Sequence, residues 1–154
     1  MKISQKGIDL IKSFEGLSLK SYLCPAKVWT IGYGTTKGVT EGMRITLQQA
    51  ENFLREDLEF FEQGISKLVK RKLTQCQFDA LVAFVYNIGL GKKDYGGFYE
   101  STLRKKVNIN PNDPSIAIEF SKWIHAGGKV LEGLKKRRLA ESELYFTKEN
   151  YEEL

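Results

Sequence analysis

Residues 14–35 read FEGLSLKSYLCPAKVWTIGYGT, and the pattern of the chain changes within them. Before this stretch, apolar residues recur at helical spacing after Ser4, which is a suitable N-cap residue, and Gly16 is a suitable helix stop. Between residues 18 and 39, β-prone residues alternate with proline and glycine, which predicts two or three short strands joined by tight turns. Glu15 is therefore predicted to lie where a helix ends and a small sheet begins.

The remainder of the chain has the pattern of a helical protein. Thr46 with Gln49, and Thr74 with Gln77, have the capping-box form of a helix N-terminus. The helix after Thr74 is apolar on almost every side, which predicts that it is the buried centre of the fold. Asp113-Pro114 predicts another helix start, an N-cap followed by proline, for a helix that carries apolar residues as far as Ile124. Other predicted features are a glycine-rich loop at 89–97, a short helix at 101–107, a break in the helical pattern at Gly127-Gly128 and a last helix at 132–146.

These elements predict an α+β fold in which one helix and a small sheet precede a mainly helical region. A length of 154 residues favours one domain. We expect a single domain over residues 1–154, with a small sheet lobe at about 15–45 and a helical lobe at about 46–147 that also includes the N-terminal helix. The tail at 148–154 is expected to be loosely ordered.

Composition and charge narrow the class of protein. Apolar residues make up 42% and charged residues 28%, as in ordinary soluble globular proteins. Nothing reaches the length of a membrane span, and the first residues contain no apolar segment of a secretory signal. The net charge of +5 would attract nucleic acid, an anionic membrane surface or an acidic cell-wall polymer, or would simply keep the protein soluble. The basic runs at 67–72 and 135–138 are not interleaved with aromatic residues, as a strand-binding groove would be.

Cysteine and histidine content argues against a metal site or a disulfide framework. The chain has two cysteines, Cys24 and Cys76, and one histidine, His125, with no CxxC or HExxH spacing. A nucleophilic Cys24 would need a partner base, and His125 is a hundred residues away without a motif that pairs them. A cysteine-protease function is therefore disfavoured.

Glu15 and Thr30 are candidates for chemistry on physical grounds. A carboxyl group at the C-terminal end of a helix lies near backbone carbonyl oxygens and the negative end of the helix dipole, which favour its protonated form. Burial acts in the same direction, and a retained proton is what a general acid needs. The alternative is a solvated surface glutamate. Thr30 is equally suited to a structural role in a strand or to holding a water, since its hydroxyl both donates and accepts hydrogen bonds.

The spacing of Glu15, Cys24 and Thr30 resembles the Glu-x8-Asp/Cys-x5-Thr signature of the phage-type lysozymes, glycoside hydrolase family 24. The resemblance extends from about residue 8 to residue 145. The other blocks that carry it are Phe14-Glu15-Gly16, residues 29–35, residues 83–89, Ser101-Thr102-Leu103, Gly133-Leu134, Arg137-Arg138 and Glu141. It implies a lysozyme-like fold, with a cleft between a small sheet-containing lobe and a larger helical lobe.

The same resemblance implies an activity and roles for individual residues. Members of the family are endolysins that cleave the β-1,4 bond between N-acetylmuramic acid and N-acetylglucosamine in peptidoglycan. The implied roles are general acid for Glu15, water-holding residue for Thr30, and for Cys24 the position at which many members have aspartate. Positions that match sugar-contacting residues of the cleft are Thr36, Tyr86, Asn87 and Thr102. Either Arg137 or Arg138 matches a basic residue that pairs with the glutamate and favours its ionised form.

Cys24 is the departure from the commoner family pattern. A thiol is mostly neutral at pH 7, and a nearby Glu15 anion would raise its pKa further, so we expect a weak base or a residue that only positions water. This leaves open a lytic transglycosylase, which needs the acid but no group to activate water, although Thr30 favours hydrolysis. A catalytically silent wall-binding module is disfavoured by the intact Glu15 constellation, and a nucleic-acid-binding module is supported by the net charge alone.

The resemblance also predicts where and with what the protein works. We expect a monomer without cofactor or metal that acts on peptidoglycan glycan strands and binds no specific nucleic acid. Without a signal sequence it would be made in the host cytoplasm. It would reach the cell wall in the periplasm through a holin or another export partner.

Overall fold

The computed structural model describes residues 1–148, so most of the predicted loose tail lies outside the described residues. Its elements, in chain order, are α1 (Gln5–Glu15), β1 (Ser18–Leu23), β2 (Trp29–Gly32), α2 (Leu47–Leu68), α3 (Gln75–Ile88), a 3-10 turn (Phe98–Glu100), α4 (Thr102–Ile109), α5 (Ile116–Ser121), β3 (His125–Ala126), β4 (Lys129–Val130) and α6 (Glu132–Tyr145). The α+β prediction is confirmed. Within the described residues, no helix is long and apolar enough to cross a membrane.

Both predicted capping boxes are present. The Thr46 side chain accepts a hydrogen bond from the N–H of Gln49, and the Gln49 side chain accepts one from the N–H of Thr46, at 3.1 and 2.8 Å. Thr74 and Gln77 repeat the exchange at the start of α3. These local bonds satisfy N–H groups that a helix start leaves unpaired, which explains why the sequence located both helices correctly.

The start of α1 is fixed to the helical region rather than capped locally. Ser4 precedes α1 as predicted, but its side chain caps no backbone group of the helix. Its hydroxyl donates to Asp79 of α3 instead, and its N–H donates to the same carboxylate at 2.9 Å. The N–H of Ile3 donates to Glu62 of α2 at 2.6 Å. At the other end, Gly16 adopts a φ of 69° and ends the helix directly after Glu15.

The small sheet consists of β1 and β2 in antiparallel pairing, with Tyr22 opposite Thr30 and a register irregularity between Ser18 and Tyr22. Further isolated bridges, such as that between Ile31 and Thr35, extend the pairing without forming a third strand. The turn between the strands closes where the N–H of Cys24 donates to the carbonyl of Val28 at 3.1 Å. Cys24 and Thr30 are therefore held close together on either side of one tight turn.

Helix α3 is the buried centre, as its apolar sequence predicted, because every residue from 76 to 85 is buried. Helices α1, α2 and α6 pack around it. On the α6 side, the ring of Phe84 makes edge contacts with Phe120 and Trp123 at 5.3 and 5.7 Å between centroids. The position of the end of α3 is what brings Tyr86 and Asn87 towards Glu15.

Two predictions in the second half of the chain need correction. Gly127-Gly128 is not a plain break but the two-residue turn of a β3–β4 hairpin, with φ angles of 56° and 76° that suit glycine. Helix α5 begins at Ile116 and ends at Ser121, so it does not reach Ile124. Asp113 does act at its start, where its side chain accepts a hydrogen bond from the N–H of Ser115 at 2.8 Å.

Candidate active site

Glu15 lines a cavity of about 550 Å³ formed between α1, the turn after β2, and helices α2 and α3. Its side chain is 23% exposed, so the carboxylate is reachable but largely shielded. The lining residues are Glu15, Gly34, Thr36, Lys37, Glu56, Asp57, Phe60, Phe61, Tyr86 and Asn87. The structure thus places Thr36, Tyr86 and Asn87 in the same cavity as Glu15.

Arg137 is the arginine that pairs with Glu15. Its Nη1 donates to Glu15 Oε1 at 2.6 Å. The other two nitrogens are also used, since Nε donates to Glu141 at 3.1 Å and Nη2 donates to the carbonyl of Ala83 at 2.9 Å. Three donors directed at three acceptors fix the plane of the guanidinium, which a lysine could not do. One oxygen of Glu15 is therefore held in a fixed direction.

Arg138 contacts residues next to the site. It donates to Glu141, to the side-chain oxygen of Asn87, and to the carbonyl of Trp123 at 2.9 Å. Glu141 is completely buried and accepts from both arginines. This cluster links the end of α3 to α6 and orients Asn87 at the edge of the cavity.

Gly34 lines the cavity next to Glu15 and Tyr86. Its φ is 103°, a conformation that favours glycine. A Cβ atom placed there would lie 3.4 Å from the Tyr86 hydroxyl oxygen and 3.5 Å from Glu15 Oε2. The Tyr86 hydroxyl donates to the carbonyl of Tyr33 at 2.7 Å, and burial followed by the charge of Glu15 raises the pKa of Tyr86. Its hydroxyl therefore joins α3 to the turn after β2 and remains protonated.

Cys24 and Thr30 interact with each other but are not among the residues that line the Glu15 cavity in the described structure. The pKa of Cys24 is lowered, which corrects the rise expected from Glu15. The main cause is a hydrogen bond from the backbone of Val28, with smaller contributions from Ala26 and Thr30, while burial acts in the opposite direction. The Thr30 hydroxyl lies 3.0 Å from the Val28 carbonyl, to which it can donate. The turn thus favours the thiolate, and no disulfide joins Cys24 to Cys76.

Thr102 lies apart from the other predicted sugar-contacting residues. It borders a separate depression with Glu119, Lys122 and Trp123 among its walls. A third cavity adjoins both the Glu15 cavity and the Thr102 depression. It shares Asn87 with the Glu15 cavity and Trp123 with the Thr102 depression. Shared walls therefore connect Thr102 to Glu15 along the surface, without direct contact between them.

Asp57 is a residue of the cavity that the sequence analysis missed. Its carboxylate accepts a hydrogen bond from the Thr35 hydroxyl at 2.7 Å. Burial raises its pKa, and the neighbouring Glu56 adds to the rise, while Thr35 and Lys37 act against it. The spacing of Asp57 from Phe60 and Phe61 places all three on one helix face, which is the pattern that could have drawn attention to them.

The arrangement suits proton transfer to a ligand in the cavity. Arg137 holds one oxygen of Glu15, and the other lies beside Gly34 on the floor of the cavity. A carboxyl group in such a place can give a proton to an acceptor in the cavity, and the guanidinium stabilises the carboxylate that results.

Comparison with known proteins agrees with this geometry. The family profile described as phage lysozyme matches residues 12–141. The chain is 46% identical to the endolysin of Bacillus phage PZA over 148 residues, which cover 94% of this chain and 55% of that protein. It is also 46% identical to the endolysin of Acyrthosiphon pisum secondary endosymbiont phage 1, covering 94% of this chain and 98% of that one.

A solved structure shows the same fold. The muramidase domain of SpmX from Asticaccaulis excentricus superposes with a TM-score of 0.85 at 38% identity, covering 96% of this chain and 99% of that one. The chain spans just over half the length of the endolysins of Bacillus phages PZA and B103. The matched residues include Glu15, Arg137 and the whole of the cavity between them, and the chain therefore belongs to the phage lysozyme family, glycoside hydrolase family 24.

Proposed function

We propose that this chain is a peptidoglycan hydrolase, an endolysin that cleaves the β-1,4 bond between N-acetylmuramic acid and N-acetylglucosamine. The observation that carries the proposal is the Glu15 carboxylate, bonded to Arg137 at 2.6 Å on the floor of a cavity large enough for a sugar. Membership of the phage lysozyme family and the similarity to endolysins support the same substrate. We take residues 1–154 to be one catalytic domain.

In the proposed mechanism Glu15 is the general acid. Its proton passes to the glycosidic oxygen as the bond to the anomeric carbon breaks, and Arg137 stabilises the carboxylate left behind. Water adds to the anomeric carbon, its proton passes to solvent, and Glu15 is reprotonated from solvent for the next cycle. Cys24 and Thr30 hold this water, because the sulfur of Cys24 can accept a hydrogen bond from it and the Thr30 hydroxyl can donate or accept one.

The proposal also includes the residues that contact the glycan strand and the place where the protein acts. Thr36, Tyr86 and Asn87 contact the glycan strand near Glu15, and Thr102 contacts it farther along the surface that the three cavities share. The protein acts on the cell wall after release from the host cytoplasm through a holin or another export partner.

A lytic transglycosylase is the second candidate, and a thiol in place of the usual aspartate is the observation that favours it. That reaction uses the same acid but closes the muramic acid ring on itself, giving 1,6-anhydro ends. Mass spectrometry of digested walls separates the two reactions. Reducing muramic acid ends are expected, whereas anhydro ends would assign the protein to the second class.

The test of the acid is Glu15→Gln, which keeps the shape of the side chain and removes its proton. Turbidity loss of permeabilised cells should slow by roughly 10²–10⁴-fold, the usual contribution of general acid catalysis. Asp9→Asn is the matched control, since Asp9 is an exposed carboxylate on the same helix. A folded Glu15→Gln protein that lyses cells at near wild-type rate would remove Glu15 from the mechanism.

A further inference from the structure

Helix α2 lines one side of the Glu15 cavity with Glu56, Asp57, Phe60 and Phe61, and we call the last three the α2 wall. Residues three and four apart lie on one face of a helix, so the sequence spacing alone turns them in a common direction. The mechanism proposed above uses none of the three. Their chemistry is nevertheless that of a binding surface, with two aromatic rings beside one carboxylate.

The aromatic rings form a continuous series from solvent to the catalytic end of the cavity. Phe60 is 65% exposed, and its ring meets that of Phe61 edge-on with 5.3 Å between centroids. Phe61 in turn meets Tyr86 edge-on at 5.4 Å. Phe61 packs against the core, but Phe60 does not belong to it. An exposed phenylalanine beside a polar cavity contributes little to folding, although it offers apolar area to a ligand.

Asp57 supplies the polar part of the same surface. A carboxylate can accept about four hydrogen bonds, and the Thr35 hydroxyl provides one of them at 2.7 Å. Burial raises the pKa of Asp57, so the fold keeps an acid where ionisation is disfavoured. A ligand that donates hydrogen bonds to this carboxylate would offset that cost.

We propose that the α2 wall is a saccharide-binding site for one sugar ring of the strand that Glu15 cleaves. Phe60 packs against the apolar C–H face of the ring, and Asp57 accepts a hydrogen bond from a hydroxyl or an N-acetyl N–H group. A sugar is favoured over the stem peptide of peptidoglycan because Asp57 and Glu56 outnumber Lys37 at this cavity, and stem peptides carry carboxylates. This inference rests on the proposed function and adds residues that select the substrate.

The experiment measures binding separately from cleavage. In the Glu15→Gln protein, isothermal titration would follow binding of a peptidoglycan glycan hexasaccharide, with its peptides removed by an amidase or left in place. Phe60→Ala and Asp57→Asn should each weaken binding of the stripped hexasaccharide by roughly 5- to 20-fold, as loss of a well-placed contact does. Tyr95→Ala is the matched control, because Tyr95 is an aromatic residue that is 74% exposed and does not line the cavity. Melting temperatures confirm that each variant is folded.

Kinetics provide a second readout. With Glu15 present, Phe60→Ala should raise KM for the glycan strands by more than it lowers kcat, because the acid and its arginine are untouched. Binding that is as strong with Phe60→Ala and Asp57→Asn as with Tyr95→Ala overturns the α2 wall. The proposal is also overturned if these variants lose affinity only for strands that keep their peptides, because the α2 wall would then bind peptide.

The experiment distinguishes an error in the α2 wall proposal from an error in the proposed function. If the Glu15→Gln protein binds the hexasaccharide regardless of Phe60 and Asp57, the wall alone is refuted. If the wild-type chain neither binds nor cleaves the strands, the proposed function is refuted with it.

Discussion

Replacing Glu141 with glutamine tests the buried ion-pair cluster that positions Glu15. Glu141 is 0% exposed, and its partners Arg137 and Arg138 are 3% and 1% exposed. Each carboxylate oxygen of Glu141 accepts from one arginine. A glutamine keeps one acceptor oxygen but turns an NH₂ group towards the second guanidinium. The change therefore removes a charge and sets donor against donor in a place that water does not reach.

The expected loss of stability is large. Removing one partner of a buried ion pair costs about 3–5 kcal/mol, because the remaining charge has no solvent to compensate it. For a domain of this size each kcal/mol lowers the melting temperature by roughly 2–4 °C, so the fall should be roughly 6–20 °C. Burial raises the pKa of Glu141 by more than the two guanidiniums lower it, which favours the lower part of the range.

Urea unfolding followed by circular dichroism measures this free energy. Glu143→Gln is the matched control, since Glu143 is an exposed glutamate on the same helix, and it should change stability by less than about 0.5 kcal/mol. If Glu141→Gln were as stable as Glu143→Gln, the cluster would not stabilise the fold, and the rigid placement of Arg137 could not be attributed to it.

Three further predictions concern other parts of the chain. Cys24→Asp should keep or raise the lytic rate measured by turbidity, and Cys24→Ser should lower it, whereas a covalent glycosyl adduct on the wild-type thiol would contradict a water-holding role. Asp57→Asn should raise the melting temperature at pH 7, because the raised folded-state pKa of Asp57 makes its ionised form destabilising. The gain should vanish as the pH falls below 3.8, and a gain that does not depend on pH would contradict this explanation. Gly91→Ala should lower the free energy of unfolding more than Gly38→Ala. Both residues have a positive φ, but of the two only Gly91 would place its Cβ against a backbone atom, the Gly96 oxygen; equal effects in urea unfolding would refute the close approach.

The fold was predictable where short-range interactions decide it. The capping boxes at Thr46 and Thr74 depend on residues three apart, and both are present. The β3–β4 hairpin was missed because strands of two residues are too short to show an alternating pattern. The end of α5 was placed too late because Ile124 continues the apolar spacing, although the helix stops at Ser121.

The site was less predictable because its geometry depends on long-range packing. Adjacent residues of a helix point about 100° apart, so whether Arg137 or Arg138 reaches Glu15 depends on how α6 lies against α3. The direction of the Cys24 pKa depends on backbone groups of the turn that follows it. Asp57 is one of several charged residues on an amphipathic helix, and its hydrogen bond with Thr35, which follows β2, is a contact across 22 residues that the sequence does not reveal.

Helix α1 is held at both ends by parts of the chain that are distant in sequence. At its start, Ser4 bonds to Asp79, which is 75 residues away. At its end, Glu15 bonds to Arg137, which is 122 residues away. Eleven residues of helix thus join an anchor on α3 to an anchor on α6, and the direction of the Glu15 carboxylate depends on both. Since Arg137 is in turn fixed by Glu141, the proposed acid is oriented only when α6 has packed on α3. The proposed activity should therefore appear with the complete fold and not in a fragment that contains Glu15, Cys24 and Thr30 alone.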